Sequence, residues 1–150
     1  MPVKSSTSPV PEEPGPVRPL PQPTLASAEF WSAGADGVLR VLRCADCGAY
    51  THPPLPRCRS CRGDRVTMSP VSGRGVVAGF TVNHQQWLAD FPPPYVIAVV
   101  ALEEDDGVRL TTNIVGCPQT PEALVLDMPV EVTFHTFGEI ALPLFQPAKG

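Results

Sequence analysis

Residues 44–61 read CADCGAYTHPPLPRCRSC, with one Cys-x-x-Cys knuckle at each end: Cys44 with Cys47, and Cys58 with Cys61. Each knuckle can bring two thiolates onto one face of a tetrahedral ion, and the ten residues between them suffice for the hairpin that lets the pairs converge. Gly48 and Gly63 follow the second cysteine of each knuckle closely, where a tight turn needs a residue free to take positive φ. Four thiolates complete the tetrahedron and leave no position for water or substrate. The expectation is therefore one structural zinc per chain, on Cys44, Cys47, Cys58 and Cys61, and not a catalytic metal. The same ligand set would also accept iron, as in rubredoxin, or act as a redox dithiol.

Four of the five cysteines fall within these eighteen residues, and Cys117 stands alone. Such clustering suits metal ligation in a reducing compartment better than a disulfide framework. No apolar run approaches the roughly 18 residues of a membrane span, and the N-terminus lacks an apolar signal core, so the expected location is cytoplasmic. With 43% hydrophobic and 17% charged residues the chain is unlike a wholly disordered one, although 20 prolines and 12 glycines leave less of its 150 residues for a core.

Upstream of the knuckles, residues 1–23 carry eight prolines and almost no apolar periodicity. They read as an extended linker or tail that buries nothing and that joins the rest to something preceding it. Thr24 then offers an N-cap, Leu25 to Ala33 a short helix, and Gly34 its stop. Downstream, β-type runs stand at Arg74–Asn83, Tyr95–Glu103, Val108–Val115, Val130–Thr136 and Glu139–Phe145. Residues 104–107 are expected to close one hairpin, and Phe137 with Gly138 another. Five short strands fit an OB-type barrel better than a sandwich of about seven strands. The expected fold is mainly β: a helix and rubredoxin-like zinc ribbon over 24–70, then a five-stranded OB-fold barrel over 71–150.

Seven of the 11 basic residues (Arg40, Arg43, Arg57, Arg59, Arg62, Arg65 and Arg74) surround the knuckles, and beyond Arg74 nine acidic residues face only Arg109 and Lys149. The arginines would offset the roughly two negative charges of a zinc with four thiolates, or meet a phosphate-bearing coenzyme. The acidic barrel and the net charge of -4 speak against a nucleic-acid partner. His52, His84 and His135 form no recognisable nucleophile elbow or metal helix, and Cys117 reads as a small hydrophobe, so no catalytic residue is expected. Apolar or polar side chains that could meet a partner or ligand are Leu25, Phe30 and Trp31 on the helix, and His84, Trp87, Phe91 and Tyr95 in and around the loop 85–94.

From about Phe30 to Pro147 the chain resembles a bacterial family of zinc-ribbon plus OB-fold proteins that accompany thiolases. The residues that carry the likeness are Phe30 and Trp31, the two knuckles with Pro53 and Pro54 between them, Ser72 to Gly75, Pro93 to Val96, Leu110 to Cys117, Met128 to Val130, and Leu142 to Pro147. The resemblance implies an accessory subunit of a thiolase-fold enzyme acting on acyl-CoA, with the acyl-CoA at or near the interface. In actinobacterial steroid-degradation systems such a domain follows a hotdog-fold hydratase domain and pairs with a thiolase-like aldolase. The Pro-rich segment Pro9 to Pro23 suits such a fusion, which favours the steroid aldolase over a biosynthetic or degradative thiolase as the partner.

Overall fold

Strand β1 (Arg40–Cys44) is common to both halves of the molecule. Its sequence, RVLRC, turns Val41 into the interior with no exposure and ends on the first zinc-type cysteine. On one edge it pairs antiparallel with β2 (Tyr50–Thr51), and on the other with β3 (Val66–Pro70), giving a three-stranded sheet in the order β2-β1-β3. The computed structural model describes residues 18–149, so the linker expectation for residues 1–17 lies outside the described residues.

The second sheet contains β4 (Arg74–Asn83), β5 (Tyr95–Leu102), β6 (Asp105–Thr112), β7 (Pro129–Phe137) and β8 (Ile140–Pro147), in the order β6-β5-β4-β7-β8. A parallel bridge between Ile114 and Phe145 curls the two edges together. There the Val115 N–H donates to the Phe145 carbonyl at 2.8 Å and the Phe145 N–H donates to the Asn113 carbonyl at 3.2 Å. This contact joins the third and fifth strands as an OB-type barrel requires, and curls the sheet into a partly closed barrel. The mainly β class and the five strands expected from the sequence are thus the ones observed.

The boundaries differ in instructive ways. The first barrel hairpin turns at Glu103 and Glu104, ahead of the expected position, because residues 106–108 are absorbed as a bulge: Ala101 faces Arg109 while Leu102 already faces Asp105. Asp105 Oδ1 accepts the Gly107 N–H at 2.9 Å and holds that bulge. Strand β6 ends at Thr112, short of Val115, since the next three residues leave β5 to reach β8. In the last hairpin Phe137 pairs with Ile140, so the turn is Gly138 and Glu139, one residue later than expected.

The helix is also shorter than the sequence suggests. Helix α1 runs Ala28–Ala33, not from Leu25. Thr24 and Ser27 exchange backbone N–H to hydroxyl bonds at 3.0 and 3.2 Å, which fixes a separate turn before the helix begins. The α-helix does end at Gly34, its C-cap, but in a right-handed conformation: the chain continues as a 3-10 turn, Gly34–Asp36, and it is Gly37 that takes the left-handed conformation at φ 82°. Gly34 is needed for another reason, since the ring of Phe134 on β7 lies where its Cβ would stand.

Phe30 on α1, and Leu39 and Val41 before and on β1, join Val77, Val96, Val100, Ile114 and Phe145 of the barrel in one buried cluster. Ribbon and barrel therefore share a core. Among the described residues no helix is long and apolar enough to cross a membrane. Gly34→Ala should cost about 1–3 kcal/mol of stability, measured by denaturant unfolding, because the Phe134 ring must leave its rotamer to admit a methyl group.

Candidate functional site

The three-stranded sheet positions the first knuckle directly: β1 delivers Cys44, and the Gly48 N–H returns to the Cys44 carbonyl at 2.9 Å, folding Cys47 back over it. In the second knuckle the Arg62 N–H bonds the Cys58 carbonyl at 3.1 Å. All four Sγ atoms lie within 4.8 Å of one another, the only such donor cluster among the described residues, with Cys44 to Cys61 at 3.6 Å and Cys47 to Cys58 at 3.5 Å. Zinc–sulfur bonds of about 2.3 Å in a tetrahedron place sulfurs about 3.8 Å apart, so the constellation fits the ion. Backbone N–H groups of Ser60 and Gly63 point at Cys58 and Cys61 Sγ, at 3.3 and 3.4 Å, and would orient and partly neutralise the thiolates.

One expectation about the turns needs correction. Gly48 does take positive φ, at 75°, but at the matching position of the second knuckle it is Arg62, at φ 64°, that is left-handed. Gly63 serves close approach, since a Cβ there would meet Asp46 Oδ2 and the Cys61 sulfur. An arginine in that conformation costs about 1–2 kcal/mol relative to a glycine-like backbone, which the closed knuckle must outweigh. Backbone N–H groups of Cys61 and Ser60 hold Cys58 down to about 6, whereas at Cys61 the Gly63 N–H is outweighed by Cys44, burial and the remaining thiols, which push it up to about 12.

The arginine cluster is largely neutralised within the molecule. Arg40 pairs with Asp36 at 2.8 Å, Arg59 with Asp105 at 3.4 Å, Arg74 with Glu103 at 3.0 Å, and Arg65 with Asp46. Arg43 lies over the Tyr50 ring and bonds the Gly48 carbonyl. Arg57 donates to the Arg62 carbonyl at 3.2 Å. The Arg59–Asp105 pair ties the second knuckle to the first barrel hairpin.

The contact candidates separate into three groups. Phe30 is core, only 5% exposed, and is unavailable to a partner because α1 packs against β8 and β1. Trp31 is half-buried edge-on against Phe30, at 4.9 Å between centroids. Leu25 is fully exposed, Trp87 is 71% exposed with its Nε1 donating to Asn83 Oδ1 at 3.0 Å, and His84 is exposed. Phe91 and Tyr95 are half-buried with rings 4.6 Å apart. Arg18 lies over Phe91 at 5.0 Å and donates to Asn113 Oδ1 at 2.7 Å. That contact corrects the expectation that the whole segment 1–23 buries nothing: its described end docks through Arg18, because a guanidinium can pair with an amide and a ring at once. Sequence reasoning missed Arg18; Asn113 was visible as a lone amide in the apolar run Leu110–Val115.

His52 stacks at 4.8 Å on Phe30, and its Nδ1 is buried without a partner among the described residues. Burial lowers its pKa to about 4. His135 is exposed, and Cys117 is half-buried with its thiol pushed up by burial. None of the three histidines is bonded to a carboxylate or thiol among the described residues.

Comparison with known proteins matches residues 31–67 to a ChsH2 rubredoxin-like zinc ribbon domain and residues 69–135 to a ChsH2 C-terminal OB-fold domain. The chain is 34% identical over 138 residues to a probable enoyl-CoA hydratase alpha subunit of Thermomonospora curvata, covering 91% of this chain and 42% of that one. It is 33% identical over 127 residues to the 3-oxo-4,17-pregnadiene-20-carboxyl-CoA hydratase alpha subunit of Mycobacterium tuberculosis, covering 85% of this chain and 39% of that one. It thus spans about two fifths of either subunit. A DUF35 domain-containing scaffold protein of Methanocaldococcus jannaschii is 37% identical over 101 residues, 65% of this chain and 68% of that one. Among solved structures, a chain of an Ltp2–ChsH2(DUF35) aldolase superposes with a TM-score of 0.77 at 33% identity, covering 87% of this chain and 100% of that one.

Two outcomes follow. Purified under reducing conditions, the chain should carry one zinc by elemental analysis, and Cys44→Ser or Cys58→Ser should lose the metal and unfold the ribbon; less than half an equivalent of metal in the wild type would contradict this. His52 binds its proton more weakly folded than unfolded, so its contribution is present above the unfolded pKa and is lost as pH falls from about 6.5 towards 4. Between pH 7 and 5 the wild type should therefore lose about 2 kcal/mol more stability than His52→Phe, read from paired urea titrations.

Proposed function

The chain belongs to the DUF35 family, in the form that joins a ChsH2-type zinc ribbon to a ChsH2-type OB-fold domain, and from that premise we propose that it is an accessory subunit of a thiolase-fold enzyme acting on acyl-CoA. The favoured enzyme is a steroid side-chain aldolase that splits a β-hydroxyacyl-CoA. In this reading Cys44, Cys47, Cys58 and Cys61 ligate the structural zinc, residues 24–70 and 71–150 act as ribbon and barrel, and the residues upstream tether them.

The observation that carries the proposal is the likeness to the ChsH2(DUF35) chain of an aldolase over that chain's whole length. The steroid acyl-CoA named for the Mycobacterium tuberculosis relative supports the substrate class. The hydratase activity named for that whole subunit is not assigned to the two fifths that match. Chemistry supports the division of labour. Retro-aldol cleavage needs a base for the β-hydroxyl proton and donors for the enolate that forms at the thioester, and a closed four-thiolate metal supplies neither. Those groups belong to the partner's pocket, which this subunit shapes. Leu25 and Trp87 are the exposed apolar side chains best suited to anchor the contact.

Assayed on a steroid side-chain β-hydroxyacyl-CoA, each chain alone should be inactive and the mixture active. Trp87→Ala should weaken assembly by about 1–3 kcal/mol in a binding titration. Full activity of the thiolase-like chain alone, or turnover by this chain alone, would overturn the assignment.

A further inference from the structure

Between the start of β5 and the β7–β8 hairpin, the mouth of the barrel holds an open pocket of about 200 Å³, walled by Phe91, Tyr95, Phe137 and Leu144. Arg18 enters it from the segment before α1, His135 is the other basic side chain of its wall, and among the described residues no acidic side chain lines it. The Arg18 guanidinium is held by two uncharged groups: Nη2 donates to Asn113 Oδ1 at 2.7 Å, and the cation lies 5.0 Å from the centre of the Phe91 ring. Its Nε is buried and has no partner among the described residues.

The two amides of the pocket are committed to the backbone. Asn113 Nδ2 donates to the Val96 carbonyl at 2.8 Å, while Gln119 Oε1 accepts the Val96 N–H at 2.9 Å and its Nε2 donates to the carbonyls of Ile114 and Cys117. They fix the start of β5 and present Asn113 Oδ1 to the guanidinium in one orientation. Elsewhere Arg40, Arg59, Arg65 and Arg74 each have a carboxylate, while Arg43, Arg57 and Arg109 donate to backbone carbonyls. Arg18 is half-buried and has no carboxylate among the described residues. A cation taken out of water costs free energy until an anion compensates it, and burial lowers the Arg18 pKa for that reason.

We propose that the barrel mouth is a binding site for a small monocarboxylate with an apolar or aromatic body. The carboxylate sits on Arg18 and the body lies against Phe91, Tyr95 and Phe137. Arg18 is the one permanent cation among the described lining residues and matches a single negative charge, whereas a phosphate dianion would call for more. The volume is below the ~300 Å³ at which drug-sized ligands are usually taken, so the ligand is a small acid. The site does not rest on the thiolase-partner reading: it is built from this chain alone and is tested without a partner.

The zinc-loaded chain of residues 1–150 is titrated with 3-phenylpropanoate and, separately, with the neutral 3-phenylpropanamide, followed by isothermal calorimetry and by the side-chain amide resonances of Asn113 and Gln119. Saturable binding of the acid is expected, with the amide weaker by about tenfold or more, Arg18→Gln weaker by a similar factor, and part of the affinity regained in Arg18→Lys. Phe137→Ala, which removes a wall without touching the cation, should weaken the acid by about threefold or more and serves if Arg18→Gln does not fold. The double substitution Glu12→Gln and Glu13→Gln, removing the acids nearest in sequence, should leave the affinity unchanged. Equal affinity for acid and amide, undiminished binding in folded Arg18→Gln, tightened binding in the glutamate variant, or no saturation up to about 10 mM would overturn the proposal.

Discussion

The constraint on which the rest depends is the convergence of four thiolates at the end of β1. A three-stranded sheet with one strand of only two residues, Tyr50–Thr51, has little of its own to hold it together. Structural zinc in such peptides binds with roughly 10–16 kcal/mol, as much as the whole stability of an ordinary domain of about 5–15 kcal/mol. The ribbon can therefore accept an arginine at positive φ in its second knuckle, a cost that a metal-free turn of this size would hardly support.

Because β1 carries Cys44 at one end and Val41 in the shared core, the metal is mechanically connected to the barrel. Phe30 extends that core under α1, and Gly34 lets the next turn seat against Phe134 on β7. The Arg59–Asp105 pair spans the outer side, where exposed ion pairs are worth about 0–1 kcal/mol, so it adjusts the junction and burial holds it.

What was legible in the sequence was whatever is local or periodic. The knuckles are local, and the alternation of Arg74–Asn83 or Val130–Thr136 reflects one face turned inward, so those strands could be read within a residue or two. Places where tertiary contacts override local signals were not legible. Gly34 read as a helix stop and does cap α1, but what demands a glycine there is a ring a hundred residues away. Arg18 looked like part of a linker, yet its amide partner lies 95 residues on. Neither spacing nor composition carries such information. The positive φ at Arg62, not Gly63, was hidden because each knuckle offers a nearby glycine and only the closed geometry decides which residue must turn.

The arginine cluster illustrates how structure can reverse a compositional impression. Affinity for a nucleic-acid backbone grows with each cation free to displace a counterion from a phosphate. Four of the seven arginines around the knuckles already face carboxylates, and Arg43 and Arg57 donate to backbone carbonyls. The field they would project is largely cancelled before it leaves the surface, on a chain whose net charge is -4. What remains conspicuous outside is apolar: Leu25, Trp87, Val125 and Leu126 are each more than half exposed. Apolar side chains held out by a rigid, metal-locked body can bury against another protein at little conformational cost, since the scaffold was ordered before the encounter. Cancelled cations and exposed apolar side chains together suit contact with a protein surface better than with a polyanion.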